Sequence, residues 1–116
     1  MKRYCFTLDL YNDPGLVEEY KWYHRPENFW PEVTEAILSH GVLSEEIYLS
    51  GNRLIMILQT TEDFSLETKA TADKANPLMQ QWESLMWKYQ KATAGAKPSE
   101  KWVVMEKIFE IKKYAS

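Results

Sequence analysis

The sequence is poor in the residues that build several common kinds of functional site. Its 116 residues include only one cysteine, two histidines and four glycines. A single Cys5 excludes an intramolecular disulfide and a cysteine-rich metal site, and the histidines lack the spacing of a zinc motif. The scattered glycines form neither a phosphate loop nor a dinucleotide fingerprint. We therefore expect neither a metal nor a cofactor.

Long apolar runs and strong positive charge are also missing. No segment approaches the roughly 20 apolar residues that a membrane-spanning helix needs. The net charge is −3, with Lys and Arg dispersed along the chain, which argues against a nucleic-acid partner. One thiol and no signal-like apolar stretch fit the reducing cytoplasm. We expect a cytoplasmic protein with neither a nucleic-acid nor a membrane partner.

What is present suits one compact domain over residues 1–116, because 45% of the chain is hydrophobic and 14% is aromatic. Residues 3–11 alternate in polarity and predict a strand. Asp13 and Pro14 then suit the start of a helix. That helix places Leu16, Val17, Tyr20 and His24 at helical spacing, and Pro26 should interrupt it.

The remaining elements follow from periodicity and turn residues. Residues 31–40 predict a second helix with Val33, Ile37 and Leu38 on one side, and Gly41 suits its left-handed cap. Residues 44–60 predict a hairpin that turns at Gly51-Asn52. Residues 65–76 form a polar helical tract. A further helix starts near Pro77, with one stripe of large side chains: Met79, Trp82, Met86 and Tyr89. Residues 91–100 read as a loop and residues 101–111 as a last strand.

This β-α-β-β-α-β order predicts an α+β fold with a ferredoxin-like subunit. The predicted strand over residues 53–60 has apolar side chains on both of its faces, so we expect it to be central in the sheet and covered on both faces. Helices would cover one face of the sheet. Because Phe, Leu, Ile and Met side chains are candidates for the other face, a second copy of the chain is expected to cover it, giving a homodimer.

The two histidines differ in context. His40 precedes Gly41 at a predicted helix end, where a positive charge is favourable. His24 lies four residues after Tyr20, so both side chains project from one helix face beside the break at Pro26. From periodicity alone, His24 is either a structural histidine or an active-site residue.

Aromatic and acidic side chains could together bind a sugar. Flat rings stack on the C–H side of a pyranose, and polar groups bond its hydroxyls. Trp87 and Trp102 are expected to fill the core. Glu45 and Glu46 open a strand, so one points to each face; they are either solvated or part of a pocket.

Several motifs together resemble the L-rhamnose mutarotase family. They are "EEYKWYH", "WPE", "SHG" and "EIYL". The later segments "NRLIMILQTTEDF", "ANPLMQQWESLMW" and "KPSEKWVVMEKIFEI" are more similar to the branch of that family known as L-fucose mutarotases. The resemblance extends from Arg3 to Ile111.

The resemblance implies a dimeric α+β barrel that interconverts the anomers of a 6-deoxyhexose without a cofactor. It implies that His24 donates a proton and that Tyr20 contacts the sugar. The adjacent tryptophans of the rhamnose enzymes correspond to Trp82 and Glu83, and a strand tyrosine corresponds to Glu45. The inserted "PEN" lengthens the segment between His24 and the "WPE" motif, which begins at Trp30. The segment is two residues longer than in the rhamnose enzymes.

The leading hypothesis is an aldose 1-epimerase, or mutarotase, acting on L-fucose. L-rhamnose is the alternative sugar, and a non-catalytic dimeric binding module is the alternative class. Ring opening needs a second acid–base group beside His24, for which Glu46 and Glu106 are candidates. The predicted catalytic pair is His24 and Tyr20. The predicted sugar contacts are Tyr20, Trp82, Glu83, Glu45, Glu46, Trp30 and Glu106.

Overall fold

The structure is a computed structural model that describes residues 1–92 and 101–113. Its elements, in chain order, are β1 (Lys2–Leu10), α1 (Pro14–Tyr23), α2 (Pro31–Leu38), β2 (Val42–Ser50), β3 (Arg53–Thr60), α3 (Leu66–Ala75), α4 (Pro77–Met86), β4 (Gln90–Lys91) and β5 (Val103–Val104). From residue 93 to residue 100, the predicted loop lies outside the described residues.

The strands form one antiparallel sheet. Its order is β2-β3-β1-β4, and β5 also pairs with β1. This is the ferredoxin-like order, so the predicted α+β fold class is confirmed. β3 lies between β2 and β1, as its apolar character predicts.

Local sequence signals account for where the first helix begins and ends. The Asp13 carboxylate accepts hydrogen bonds from the backbone N–H groups of Gly15 and Leu16 at 2.9 and 3.1 Å, which satisfies donors that a helix start leaves free. The helix ends at Tyr23, three residues before Pro26, because proline disfavours helical geometry at the residue before it. His24 is therefore held at the end of a rigid helix.

Gly41 follows the second helix with φ = 88°, which only glycine adopts at low cost. A Cβ at this position would also lie 2.9 Å from Thr61 Oγ1. The predicted left-handed conformation of Gly41 is confirmed, but α2 ends at Leu38 and Ser39 is its C-cap. Gly41 instead turns the chain into β2.

The core fills the space between the helices and one face of the sheet. Its largest cluster contains buried side chains from two strands and three helices, together with Tyr89, which follows α4. The residues are Leu10, Tyr20, Val33, Ala36, Leu54, Met79, Trp82, Met86 and Tyr89. A second cluster contains Phe6, Val42, Leu58 and Phe64. The predicted stripe is confirmed on α4 for Met79, Trp82 and Met86, and Tyr89 is also buried but lies beyond the end of this helix.

Two predicted core residues are exposed. Leu38 is 53% exposed, because it follows Val33 by five residues and so lies about 140° around the helix from it. Ala36 takes the buried position instead. Trp87 is 42% exposed and caps the end of α4, where the Lys101 ammonium lies 4.7 Å from its ring centroid.

The helix-free face of the sheet is composed differently from the prediction. The strand register places Thr7 and Tyr48 beside Ile55, and Cys5 and Glu46 beside Ile57, on this face. The predicted Phe, Leu and Met side chains point to the helices instead. Within residues 1–92 and 101–113, helices cover only one face of β3, and Ile55 and Ile57 on the other face are half-buried.

The last strand is much shorter than predicted. Only Val103 and Val104 pair with β1, and the Met105 N–H extends the ladder by one bond to the Cys5 carbonyl at 2.7 Å. Beyond this bond, residues 105–113 form no regular element, and Ile108 and Phe109 are 88% and 74% exposed. Alternation predicts extended backbone, but a strand also needs an edge to pair with.

No helix within residues 1–92 and 101–113 has the length and apolar character required to cross a membrane.

Candidate active site

A cavity of about 230 Å³ lies between the helices and the sheet. The side chains that line it come from several helices and strands and include Tyr20, His24, Phe29, Glu45, Trp82, Glu83 and Gln90. An adjoining cavity of about 330 Å³ shares His24, Phe29 and Glu45 with it. The first cavity is smaller than the roughly 300–1,000 Å³ of drug-sized ligand sites, which suits a monosaccharide.

His24 is held by the end of its own helix. Its Nδ1 atom lies 2.7 Å from the carbonyl oxygen of Tyr20. A carbonyl oxygen can only accept, so Nδ1 must carry the hydrogen. Nε2 is then the ring nitrogen that can exchange a proton with a ligand. The centroid of the His24 ring lies 5.6 Å from the centroid of the Trp82 ring.

The protonation of His24 follows from its burial. Loss of solvent lowers its pKa below the ordinary 6.5, and the bond to the Tyr20 carbonyl only partly opposes this. At neutral pH the imidazole is therefore uncharged, with a lone pair on Nε2. A neutral imidazole in this tautomer is ready to accept a proton first.

Tyr20 is 4% exposed and stacks near His24, with the ring centroids 4.2 Å apart. Burial raises the pKa of its hydroxyl strongly, and a hydrogen bond from the Gln90 side chain opposes this rise. The hydroxyl therefore stays protonated over the accessible pH range. It can donate a hydrogen bond to a ligand but cannot act as a base.

Trp82 is the centre of an aromatic wall. It is 6% exposed, and the rings of Phe29 and Trp30 meet it edge-on at centroid distances of 4.9 and 5.1 Å. Phe29 and Trp82 line the cavity, whereas Trp30 does not. Trp30 therefore supports the wall from behind, a position in which it fixes the orientation of Trp82.

The predicted carboxylates divide between two environments. Glu45 and Glu83 line the cavity. Glu46 lies on the opposite face of the sheet and accepts a hydrogen bond from the Tyr48 hydroxyl at 2.8 Å, because successive strand residues point to opposite faces. Glu106 lies beyond β5 and is exposed.

The structure thus brings five of the predicted site residues together around one cavity: Tyr20, His24, Glu45, Trp82 and Glu83. It does not bring Trp30, Glu46 or Glu106 there.

Gln90 is a site residue that the sequence reasoning missed. It is 3% exposed and lines the cavity. Its Oε1 atom is buried and has no hydrogen-bond partner in the part of the chain that the structure describes. Such an atom costs free energy unless a ligand or water satisfies it. Sequence spacing gave no reliable signal for it, because α4 ends at Met86 and Gln90 belongs to the short strand β4.

Within the described ranges, no three His, Cys, Asp or Glu side chains are grouped so that they could hold a metal ion. The polar groups of the cavity are instead those of acid–base and hydrogen-bonding chemistry.

Comparison with known proteins gives consistent results. The family model described as L-rhamnose mutarotase matches residues 3–111. A protein of Xanthomonas campestris pv. campestris named L-fucose mutarotase is 40% identical over 100% of this chain and 93% of its own length. A Listeria monocytogenes protein named L-rhamnose mutarotase is 30% identical over 91% of this chain and 92% of its own length.

A solved structure has the same fold. The L-rhamnose mutarotase FA22100 from Formosa agariphila superposes with a TM-score of 0.70, covering 97% of this chain and all of that one. Its sequence identity is 19%, so this likeness concerns the fold alone.

Proposed function

This chain belongs to the L-rhamnose mutarotase family, and from that premise we propose that it is an isomerase that interconverts the α and β anomers of a 6-deoxyhexose. We propose L-fucose as the preferred sugar and L-rhamnose as the alternative. The order of preference rests on the full-length relative named L-fucose mutarotase, which is 40% identical, against 30% for a relative named L-rhamnose mutarotase.

The observation that carries this proposal is the setting of His24. Its Nδ1–H is hydrogen-bonded to a backbone carbonyl, and its ring shares a small cavity with Trp82 and three carboxylates, those of Glu45, Asp73 and Glu83. A sugar needs an apolar surface for its C–H face, hydrogen-bonding groups for its hydroxyls, and an acid–base group at C1. This cavity supplies all three kinds of group.

Mutarotation proceeds by ring opening and closing. His24 Nε2 takes the proton of the C1 hydroxyl while the C1–O5 bond breaks and O5 gains a proton. The free aldehyde rotates about C1–C2, and the same transfers run backwards on the other face of the carbonyl. The first role of His24 is thus proton acceptor, whereas the family resemblance implies a donor; reversal of the step makes it the donor on closure.

Tyr20 assists without changing its charge. Its pKa is raised by burial, so its hydroxyl donates a hydrogen bond to a sugar oxygen throughout the reaction. Because anomers already exchange spontaneously in water, the enzyme needs only the roughly 10²–10⁴-fold acceleration that positioned acid–base groups supply.

The test is saturation-transfer NMR on the anomeric protons of L-fucose and L-rhamnose. We expect catalysed exchange with L-fucose and slower exchange with L-rhamnose. The opposite order would reverse the substrate assignment. Exchange with neither sugar, together with measurable binding, would favour a non-catalytic binding module instead.

We further propose that the protein works as a homodimer in the cytoplasm, forming a dimeric α+β barrel. The support is apolar surface on the helix-free face and the C-terminal segment. Tyr48 is 55% exposed, and Ile108, Phe109 and Ile111 are 88%, 74% and 80% exposed. A second copy, related by a two-fold axis, would bury this surface and provide a sheet edge for residues 105–111.

Sedimentation at micromolar concentration tests the dimer. We expect a dimeric mass for the native chain and a monomeric mass for Ile57→Glu, because a carboxylate on the helix-free face opposes burial against a second copy. Leu38→Glu is the matched control, since Leu38 is exposed elsewhere. A monomeric native chain would contradict the proposal.

A further inference from the structure

Ring opening requires two proton transfers, and His24 accounts for one of them. The C1 hydroxyl must lose a proton while the ring oxygen O5 gains one. If His24 in its neutral form takes the first proton, a second group must supply the other. The search for that group rests on the proposed mutarotase function. A wrong identity for the group would not contradict that function.

Three carboxylates line the cavity: Glu45, Asp73 and Glu83. Two of them are already paired with cations. Asp73 Oδ2 lies 2.6 Å from Lys69 Nζ, and Glu83 Oε2 lies 2.5 Å from Lys101 Nζ. A close ammonium stabilises the ionised carboxylate. Asp73 and Glu83 each have an ammonium as their partner, whereas Glu45 takes part in neither ion pair.

Glu45 stands apart from these pairs. It projects from β2 on the helix side of the sheet, because its register partner is Leu58, a core residue of β3. It lines both adjoining cavities, and so does His24. A sugar between them would have one acid–base group on each side, one from the end of a helix and one from a strand.

Burial favours the protonated form of Glu45. Burial is the largest influence and raises its pKa; Glu83 and Asp73 raise it further, whereas Lys69 lowers it. Lys69 has the largest effect among these charges, and burial outweighs it. Glu45 can therefore hold a proton at a pH where an ordinary glutamate is ionised.

We infer that Glu45 is the second catalytic residue, which donates its proton to O5 while His24 removes the proton of the C1 hydroxyl. The C1–O5 bond breaks, C1 becomes an aldehyde, His24 becomes imidazolium and Glu45 becomes carboxylate. On closure O5 returns its proton to Glu45, and His24 returns its proton to the C1 oxygen. Atoms, electrons and charges balance without any co-reactant.

The adjacent residue offers a matched control. Glu46 has the same side chain on the same strand but lies on the opposite face. Glu45→Gln keeps the shape and hydrogen-bonding capacity and removes the exchangeable proton. We expect it to lower kcat roughly 10²–10⁴-fold while sugar affinity changes little. Glu46→Gln should retain wild-type kcat.

The pH profile of exchange separates a catalytic role from a binding role. The native enzyme should show two limbs, one from each acid–base group. Glu45→Gln should lose one limb and keep the one that His24 governs, and Glu46→Gln should keep both. Glu45→Asp, which withdraws the carboxyl by one methylene, should lower kcat but keep both limbs.

Two results would overturn the inference alone. They are wild-type kcat in Glu45→Gln, or a loss confined to KM, while the native chain and Glu46→Gln exchange anomers. A native chain that exchanges no sugar would overturn the proposed function and this inference with it. Circular dichroism of each variant checks that it is folded; should Glu45→Gln be unfolded, a wild-type kcat in Glu45→Asp would overturn the inference.

Discussion

His24 Nδ1 lies 2.7 Å from the Tyr20 carbonyl oxygen, which joins the two predicted catalytic residues through the backbone of one helical turn. His40 makes the equivalent contact with the Ala36 carbonyl at 2.9 Å, but it is exposed and lines neither cavity. The two histidines therefore have the same local geometry and different surroundings. This pair makes it possible to separate a capping role from a catalytic one.

The first prediction uses that pair. Asparagine can keep a donor to the carbonyl oxygen in place of Nδ1–H but has no equivalent of Nε2. His24→Asn should lower the rate of anomer exchange roughly 10²–10⁴-fold, because it removes the acid–base nitrogen. His40→Asn should leave the rate unchanged. Equal rates in both variants, measured by saturation-transfer NMR, would assign His24 a structural role only.

A second prediction concerns Tyr20→Phe. Because the pKa of this hydroxyl is strongly raised by burial, it does not titrate in the working range, and its removal should change neither limb of the pH profile. The variant loses a donor to the sugar and a partner of Gln90, so we expect about a tenfold lower kcat/KM and about 1–3 kcal/mol lower stability. Loss of a limb would show that Tyr20 exchanges a proton.

The third prediction separates binding from stability at Gln90. Its buried Oε1 has no partner within the described part of the protein, so Gln90→Leu removes a destabilising group from the free enzyme. The same change removes the Gln90 donor to the Tyr20 hydroxyl, so the two effects on stability oppose each other. We expect the stability in urea unfolding to stay within about 1 kcal/mol of the native value, together with about a tenfold higher KM from the hydrogen bond lost to the sugar. Gln81→Leu, at an exposed position of α4, is the control. A KM equal to that of the native protein would mean that Oε1 does not contact the sugar.

The fourth prediction concerns stability against pH. The pKa of Glu45 is raised in the folded state, so between the ordinary 4.5 and that higher value the folded chain binds more protons than the unfolded chain. Stability should therefore fall as pH rises through this window. Glu45→Gln should raise Tm more at pH 8 than at pH 4, and Glu46→Gln serves as the control for lost charge. An equal gain at both pH values would contradict the raised pKa.

His24 acts in the opposite direction. Its folded pKa is lowered below 6.5, so the unfolded chain binds the additional proton as pH falls, and stability is lost in that direction. The His24→Asn variant should show a smaller loss of Tm between pH 7 and pH 5 than the native protein.

Much of the fold could be predicted because its signals are local. Alternation identified β1, Asp13 and Pro26 marked the limits of the first helix, and Gly41 and Gly51 marked turns. The placement of Tyr20 and His24 on one helix face also followed from spacing alone. Each of these features depends on residues a few positions apart, where backbone geometry leaves few alternatives.

The last strand shows where local signals fail. Its alternating pattern predicts extended backbone, but pairing depends on an available strand edge, and among the described residues of this segment only Val103 and Val104 pair with β1. Likewise, Ile55 and Ile57 are apolar, but no segment described in this chain covers them fully. Pairing and coverage are properties of distant or separate segments, and periodicity carries no information about those.

The composition of the site was decided in the same way. Alternation along the strand establishes that Glu45 and Glu46 point to opposite faces. Ile47 and Leu49 lie on the same face as Glu45, and these apolar neighbours could have favoured Glu45 as the glutamate that faces the core. Only the pairing of Glu45 with Leu58, under the helices, turns its carboxyl into the cavity. The amino-acid sequence thus determined the elements and the Tyr20–His24 pair through short-range geometry. The tertiary structure decided which carboxylate and which amide meet that pair, because burial and charge depend on residues far apart in the chain.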